Sequence, residues 1–450
     1  MLSPKEEMST RLLKFYKMKI LLINTLDING GAARATYRLL KGLRNIGVDA
    51  HLLVQQKTSD EFFVIKPEDS ISKVFNKISG TLNKKPVELL SRADNSDNFS
   101  IQWVPDRLNT HLKTIRPDIV HLNWICGGFV KIESIGNIDK PVVWTLHDMW
   151  AFTGGCHHSL DCIRYKNKCG NCTTLNSNRN KDLSYYTWQR KEKSWRNLDL
   201  NIVSPSKWLA KCASESSLFS SKNVSVIPNG LNLKIYKQYN KRFAREVFGL
   251  PETKKLIIFG AINAINSPLK GFSNLVSALK KLHTSPFSDN VELVVFGSSK
   301  PETPFNFGFK THYMGHLNDD YSLALLYSAA DVMAVPSLKE AFCQTASEAL
   351  ACGTPVVAFN ATGLKDIVDH KSNGYLAEPY DDNDFANGIK WVLADQKRYP
   401  ELSRNARQKV ERTFEIDDVA KQYKRLYERM LNKADCAEQQ SRNQMCANFI

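Results

Sequence analysis

Short β-rich runs separated by stretches long enough for a helix recur in two series along this chain, and that alternation restricts the fold more than any other feature. Lys19 to Asn24, Ala50 to Gln55, Asp118 to Leu122, Val142 to Leu146 and Leu200 to Val203 make the first series. Leu256 to Gly260, Val291 to Gly297, Asp331 to Val335, Val356 to Phe359 and Gly374 to Ala377 make the second. Parallel strands need a crossover of about a dozen residues or more, usually a helix, so each series predicts a parallel sheet with helices on both faces. A chain of 450 residues is also too long for one core. Two doubly wound α/β domains are therefore expected. Between the series lies Val224-Ser225-Val226-Ile227-Pro228-Asn229-Gly230, a strand running into a Pro/Asn/Gly turn, and the hinge is placed just after it. The expected division is an extension over 1–17, a first domain over 18–230, a second over 231–415, a terminal helix over 416–433 and a polar tail over 434–450. Residues 60–100 are polar and carry no clear pattern.

Ligands of doubly wound sheets bind beyond the carboxyl ends of the strands, and several chemistry-bearing residues fall there. Gly30 and Gly31 follow the first strand and precede a helix from about Ala33 to Ile46. Glycines at such a place let backbone approach a phosphate or sugar at the helix N-terminus, though a tight strand-to-helix turn needs them equally. His147 stands at the end of the strand Val142 to Leu146, where a neutral imidazole can bond a sugar hydroxyl; with Asp148 as a helix cap it reads as well as a structural histidine. Lys270 opens a helix after the strand ending at Gly260, placed for a diphosphate or simply for solvent. Gly315 to Leu317 form a turn whose backbone can read a base edge, or a plain loop.

The most specific stretch is Pro336 to Pro355, between the buried runs Asp331 to Val335 and Val356 to Phe359. Its helix is expected to begin near Phe342 and to stop at Gly353, a left-handed cap followed by Pro355. Glu340 then lies on the turn and Glu348 on the helix, ~12 Å apart along the axis if every step is helical. Carboxylates so separated cannot share a proton or a metal ion. They can accept hydroxyl hydrogen bonds from opposite ends of one long polyol ligand, with helix N-terminal N–H groups holding an anion between them.

Composition bounds the partners. A hydrophobic share of 42% and a charged share of 24% are ordinary for a soluble globular chain. No apolar run approaches a membrane span, and the first seventeen residues lack a signal-peptide core, with Met1, Met8 and Met18 all available as starts. Ten cysteines without a secretion signal point to a reducing, cytoplasmic setting. The net charge of +15 favours a nucleotide, an anionic phospholipid surface or nucleic acid. Cys156, Cys162, Cys169 and Cys172 fall as C-x(5)-C-x(6)-C-x(2)-C within a glycine-rich loop over 154–173. Four thiolates can close a structural zinc site, the alternative being reduced cysteines in a surface loop.

Taken in order, Gly30-Gly31, His147, Val226-Ile227-Pro228-Asn229-Gly230, Lys270-Gly271-Phe272 and Glu340-x(7)-Glu348 resemble the retaining glycosyltransferases of family 4, of polysaccharide-biosynthesis type, over roughly Lys19 to Met430. The resemblance implies the GT-B fold, with two Rossmann-like domains facing a central cleft. It implies a nucleotide-sugar donor, UDP or GDP linked, whose hexose passes with retention to a glycan or lipid-linked acceptor in cell-surface polysaccharide synthesis. By that match His147 and Glu340 are the catalytic candidates. Gly30, Gly31, Lys270, Gly315, Leu317, Phe342, Cys343 and Glu348 are donor-binding candidates, with Glu340 on sugar hydroxyls, Glu348 on the ribose and Lys270 on the diphosphate. No catalytic metal is expected, since the departing phosphate can take the acceptor's proton. Two departures stand out: Ala341 and Cys343 replace common glycines, and Ala264 stands where an arginine is usual. The cysteine-rich loop follows His147 directly, which places it to shape the acceptor side.

The competing classes are a nucleotide-sugar epimerase or sugar phosphorylase of the same fold, and a zinc-stapled nucleic-acid-binding protein. Against the last, no basic run with interleaved aromatics occurs, so no nucleic-acid partner is expected. A dehydrogenase lacks its dinucleotide fingerprint here. Finally, Arg34, Arg38, Lys41 and Arg44 recur along one face of the first helix, with Leu39, Leu43 and Ile46 on another. With the net charge and the resemblance, they predict peripheral docking of the first domain on an anionic membrane, at its inner face.

Overall fold

The computed structural model describes residues 18–67, 70–91, 98–260, 268–284, 288–301 and 305–447; the extension before Met18 and the departure at Ala264 lie outside these. In chain order the elements of the first series are β1 (Lys19–Leu26), α1 (Gly31–Asn45), β2 (Asp49–Gln56), β3 (Val64–Ile65), α2 (Ser70–Leu90), α3 (Leu108–Ile115), β4 (Ile119–Leu122), α4 (Ile132–Gly136), β5 (Val142–Thr145), α5 (Leu183–Trp195), β6 (Leu200–Ser204), α6 (Lys207–Ser214) and β7 (Asn223–Val226). They are followed by α7 (Lys241–Val247), β8 (Lys255–Gly260), α8 (Phe272–His283), β9 (Val291–Phe296), β10 (Thr311–Tyr313), α9 (Asp320–Ala329), β11 (Val332–Val335), α10 (Gln344–Ala351), β12 (Val356–Phe359), β13 (Gly374–Ala377), α11 (Asp382–Ala394), α12 (Tyr399–Thr413) and α13 (Ile416–Ala447).

Two sheets result, of seven strands in the order β3-β2-β1-β4-β5-β6-β7 and six in the order β10-β9-β8-β11-β12-β13. The pairings β1 with β2 and β4, and β8 with β9 and β11, are parallel. In each sheet the order reverses beside the first strand, the place where such sheets open a crevice at their carboxyl ends.

The second sheet shows why the sequence folds this way. Leu256 and Ile258 of β8 go to one buried cluster, with Met333, Val335, Val356 and Ala358. Ile257 and Phe259 go to another, with Val332, Ala334, Val357 and Phe359. Alternate residues thus bury on opposite faces, one under α9, α10 and α12 residues and the other under α8 and α11 residues. A run apolar at every position is what burial on both faces demands.

By its contacts the chain forms two units. One holds residues up to Val203, Ser214–Ser225 and those from Ala420 on; the other holds Ser204–Ala213 and Val226–Val419. The expected hinge after Gly230 therefore falls inside the second unit. Leu231 N–H donates to Phe414 O at 2.7 Å and Ile416 N–H to Leu231 O at 3.1 Å, tying this segment to the start of α13. The later part of α13 belongs to the first unit, where Tyr427 O–H lies 2.7 Å from His121 Nδ1 and Tyr423 O–H 2.9 Å from Thr145 Oγ1. The expected polar tail also differs: α13 continues to Ala447 as helix. Good helix formers and the lack of Gly or Pro sustain it where no burial pattern does.

Candidate functional site

The second unit gathers its candidates at the carboxyl ends of its strands. The Pro268–Lys270 turn is bound to the turn after β11 through Leu338 N–H to Leu269 O at 2.9 Å. Gly271 joins them closely: its φ is +65°, and a Cβ there would lie 1.9 Å from Pro336 O. This junction brings Lys270 Nζ to 2.7 Å from Glu340 Oε1. Burial opposes the charge on Lys270, yet Glu340 raises its pKa. The backbone of Glu340 is held as well, since its N–H donates to Thr362 Oγ1 at 3.0 Å and Gly363 N–H donates to its main-chain O at 3.0 Å.

Helix α10 begins at Gln344, two residues later than expected, with Cys343 as the extended N-cap. Cys343 makes no side-chain cap bond; its sulfur lies 3.3 Å from Thr345 Oγ1. Burial, then the nearby Glu340, push this thiol up to about 12. Phe342 turns inward, 6% exposed, with its ring edge-on to Phe414. Any ligand contact there falls to backbone. Glu348 is only 2% exposed and accepts from Tyr327 O–H at 2.9 Å, so in this structure its carboxylate is part of the core. Gly315 has φ +64° and accepts at 2.7 Å from Gly297 N–H, itself the residue after β9; Leu317 packs partly against the core.

In the first unit Gly30 caps α1 with φ +97°, and no atom would meet its Cβ within 4 Å. Its backbone angle, rather than crowding, calls for glycine. Gly31 follows as the first residue of α1. His147, half-buried just after β5, has Nε2 at 3.1 Å from Asn123 Oδ1 after β4. Burial lowers its pKa to about 4 although Asp148 pulls the other way, so the ring is neutral near pH 7. With Nε2–H donated to the amide oxygen, Nδ1 is left as the ring's acceptor.

Asp148 is no helix cap of the ordinary kind. Its carboxylate accepts from Trp124 Nε1–H at 2.8 Å and Trp150 N–H at 2.8 Å, and its Oδ2 lies 2.7 Å from His157 Nδ1. Burial alone raises an acid, yet the charge and hydrogen bond of His157 hold this one at about 2. His157 Nε2 lies 3.0 Å from Ser100 Oγ. Sequence reasoning missed His157, Asn123 and also Lys191, a fully buried lysine that donates to Trp150 O and to Thr153 O and lies 3.5 Å over the Trp150 ring. The pair His157-His158 next to Cys156 was the visible sign of the first; nothing marked the lysine.

In the cysteine-rich loop Cys156, Cys169 and Cys172 are buried and Cys162 half-buried, all as free thiols. Among the described residues no group of three or more His, Cys, Asp or Glu side chains is arranged to hold a metal. Burial raises the Cys156 and Cys172 thiols and pushes Cys169 to about 12. What staples the loop is hydrogen bonding: Gly154 N–H to Cys169 Sγ at 3.1 Å, and Cys172 N–H to Asp182, which also caps α5. The four thiols of the expected zinc site lie near enough for Cys162, Cys169 and Cys172 to add to the rise at Cys156.

The basic face of α1, expected from the sequence to dock on a membrane, is largely engaged within its own unit. Arg38 is 7% exposed. Lys41 pairs with Glu61, and Arg44 donates to Ala50 O at 2.8 Å while lying 4.4 Å over the Phe63 ring. The segment Glu61 to Phe63, unreadable as polar sequence, covers this face.

Residues 29–235 match the family model described as Glycosyltransferase Family 4, and residues 240–409 the one described as Glycosyl transferases group 1. D-inositol 3-phosphate glycosyltransferase of Xylanimonas cellulosilytica is 35% identical over 213 residues, which is 44% of this chain and 49% of that protein. The chain spans about half the length of such curated relatives. Among solved structures, sucrose-phosphate synthase of Thermosynechococcus elongatus superimposes with TM-score 0.67 at 21% identity, over 92% of this chain and 100% of that one. Anabaena HepE in complex with UDP-glucose does so with TM-score 0.60 at 17% identity, over 92% and 100%. The fold is GT-B, and the matches together support a GT-B glycosyltransferase.

Proposed function

We propose that this chain is a retaining glycosyltransferase that moves a hexose from a nucleotide-sugar donor to a glycan or lipid-linked acceptor in cell-surface polysaccharide synthesis, working at the inner face of a membrane. The observation that carries the reading is the Lys270–Glu340 pair at the carboxyl ends of the second sheet. An ammonium and a carboxylate 2.7 Å apart, beside a helix N-terminus at Cys343, supply what a sugar diphosphate needs: a cation for the phosphates and an anion for the hydroxyls. The UDP-glucose held by the Anabaena relative of the same fold supports a donor of this class.

In this reading the C–O bond from the anomeric carbon to the diphosphate breaks as the acceptor oxygen bonds to the same face. Lys270 takes up the charge growing on the departing diphosphate, whose oxygen receives the acceptor's proton. Glu340, freed from Lys270, accepts hydrogen bonds from the sugar. In the first unit His147, neutral at working pH, offers Nδ1 as an acceptor for a substrate hydroxyl, with Asn123 fixing its orientation. A structural metal has no part in these steps.

Saturation-transfer NMR with a panel of UDP- and GDP-sugars tests the donor class, and incubation with donor alone separates the alternatives. Slow nucleotide release fits a transferase. Accumulation of an epimer with no release would instead mark an epimerase, and dependence on added phosphate a phosphorylase.

A further inference from the structure

Helix α2 is built the wrong way round for a helix that only covers a sheet. The side it buries is formed by Ser79, Asn83 and Val87, at 2%, 2% and 1% exposure. Gly80 on the same side comes close to Gly127, and Ser79 O would lie 2.5 Å from a Cβ on Gly128. At ~100° per residue, Ile78, Leu82 and Leu89 lie within about 40° of one another, on a face turned about 120° from the buried one. Those three are 44%, 38% and 80% exposed. The 40%-exposed Trp103 extends the stripe, its indole N–H donating to Leu82 O at 3.2 Å. Small and polar residues face inward while leucines face outward. Packing within the unit does not require that arrangement, and water opposes it.

The charge of the helix says what covers the stripe. Its sequence carries four lysines against one glutamate, and Lys84 and Lys85 lie exposed between the leucines. The chain as a whole has a net charge of +15. Among the described residues no helix is long and apolar enough to cross a membrane. An exposed apolar stripe with lysines beside it suits a helix lying in the plane of a lipid surface, leucines among the acyl chains and ammonium groups at the headgroups.

We propose that the outward face of α2, carried by Ile78, Leu82, Leu89 and Trp103 with Lys84 and Lys85, docks the protein on an anionic lipid bilayer. This rests on the reading of the chain as a membrane-surface enzyme and moves the contact from α1, whose cations are engaged, to α2.

Sedimentation of the full chain with vesicles of phosphatidylcholine, with and without an equal share of phosphatidylglycerol, tests it. The wild type pellets with the anionic vesicles and far less with the neutral ones. Leu82→Glu/Leu89→Glu lowers the bound-to-free ratio at least ~10-fold, and Lys84→Glu/Lys85→Glu lowers it and weakens its salt dependence. Both pairs change exposed side chains, so their melting temperatures should stay at the wild-type value. Wild type that does not pellet, or leucine variants that pellet as wild type does, overturns the proposal. So does analytical ultracentrifugation showing a dimer that the leucine pair dissolves, since a second copy then covers the stripe. Nucleotide release from donor in vesicle-free buffer, measured in parallel, keeps the two readings apart. Its absence in a wild type that binds vesicles strikes the transfer reading alone.

Discussion

Lys270 and Glu340, 70 positions apart in sequence, stand 2.7 Å apart in the fold. Such a pair is costly to break one side at a time, because the partner left behind is partly desolvated. Glu340→Gln removes an acceptor of sugar hydroxyl bonds while leaving the ammonium in place. Turnover is expected to fall ~100-fold or more with nucleotide-diphosphate binding retained, read by kcat against calorimetric affinity. Near-wild-type turnover removes Glu340 from the site. Glu348 calls for a different expectation than its sequence position suggests. It is buried on Tyr327, so Glu348→Gln should lower stability by about 1 to 3 kcal/mol in denaturant unfolding, whatever it does to nucleotide affinity. The cysteines give a third residue-level outcome. Alkylation of native protein at mildly alkaline pH should label half-buried Cys162 well before Cys156, Cys169 and Cys172, which are buried with raised pKa values. Protection of all four until a chelator is added would restore the zinc site.

The central strands were legible because burial on both faces leaves no polar positions: Val356–Phe359, buried throughout, is found with the ends read from sequence. The short edge strands β3 and β10 were not legible, being brief and partly exposed. Helix α2 was hidden for a physical reason, since from Ile78 on it buries Ser79 and Asn83 beside Val87 while Ile78, Leu82 and Leu89 are exposed, unlike the pattern a core helix writes. At the site, the sequence placed Gly30, His147, Lys270 and Glu340 correctly at strand ends. It could not tell that Phe342 and Glu348 turn inward, because helical phase fixes a residue's face only once the neighbouring elements are known. Nor could spacing show His157 folding back on Asp148. Gly271 is the joint on which the second site depends. Gly271→Ala forces a left-handed φ on alanine and drives its Cβ into Pro336 O, so a loss of about 2 to 4 kcal/mol is expected. The Lys270–Glu340 contact should loosen with it, giving weaker diphosphate binding. A variant as stable as wild type would mean that the two turns do not close as described.

For the molecule as a whole, acid is the telling condition, because the first unit carries two neutral imidazoles, His121 buried within β4 and His147 half-buried just after β5. Burial holds His121 at about 3, between Tyr427 and Thr145, and His147 at about 4, against 6.5 for a free imidazole. A base with a lowered folded pKa binds fewer protons when folded than when unfolded, so stability rises with pH through the window between the two values. As pH falls below about 6.5, the unfolded chain gains protons that the folded chain refuses, and the penalty grows until pH reaches about 4 for His147 and about 3 for His121. Asp148 does not offset this. Its pKa of about 2 against 3.8 gives stability that is fully present above 3.8 and is lost only below it. The melting temperature should therefore decline steadily from pH 6.5 to 4.5, by several degrees per unit. General self-repulsion from the net charge of +15 also grows in acid, so the comparison that isolates the imidazole is between wild type and His147→Gln. The variant should show a shallower decline over the same window. It should also lose activity at neutral pH, since glutamine cannot present the ring's acceptor at Nδ1. Equal slopes for the two proteins would mean that His147 is solvated and charged in acid. The neutral acceptor assigned to it would then have no basis.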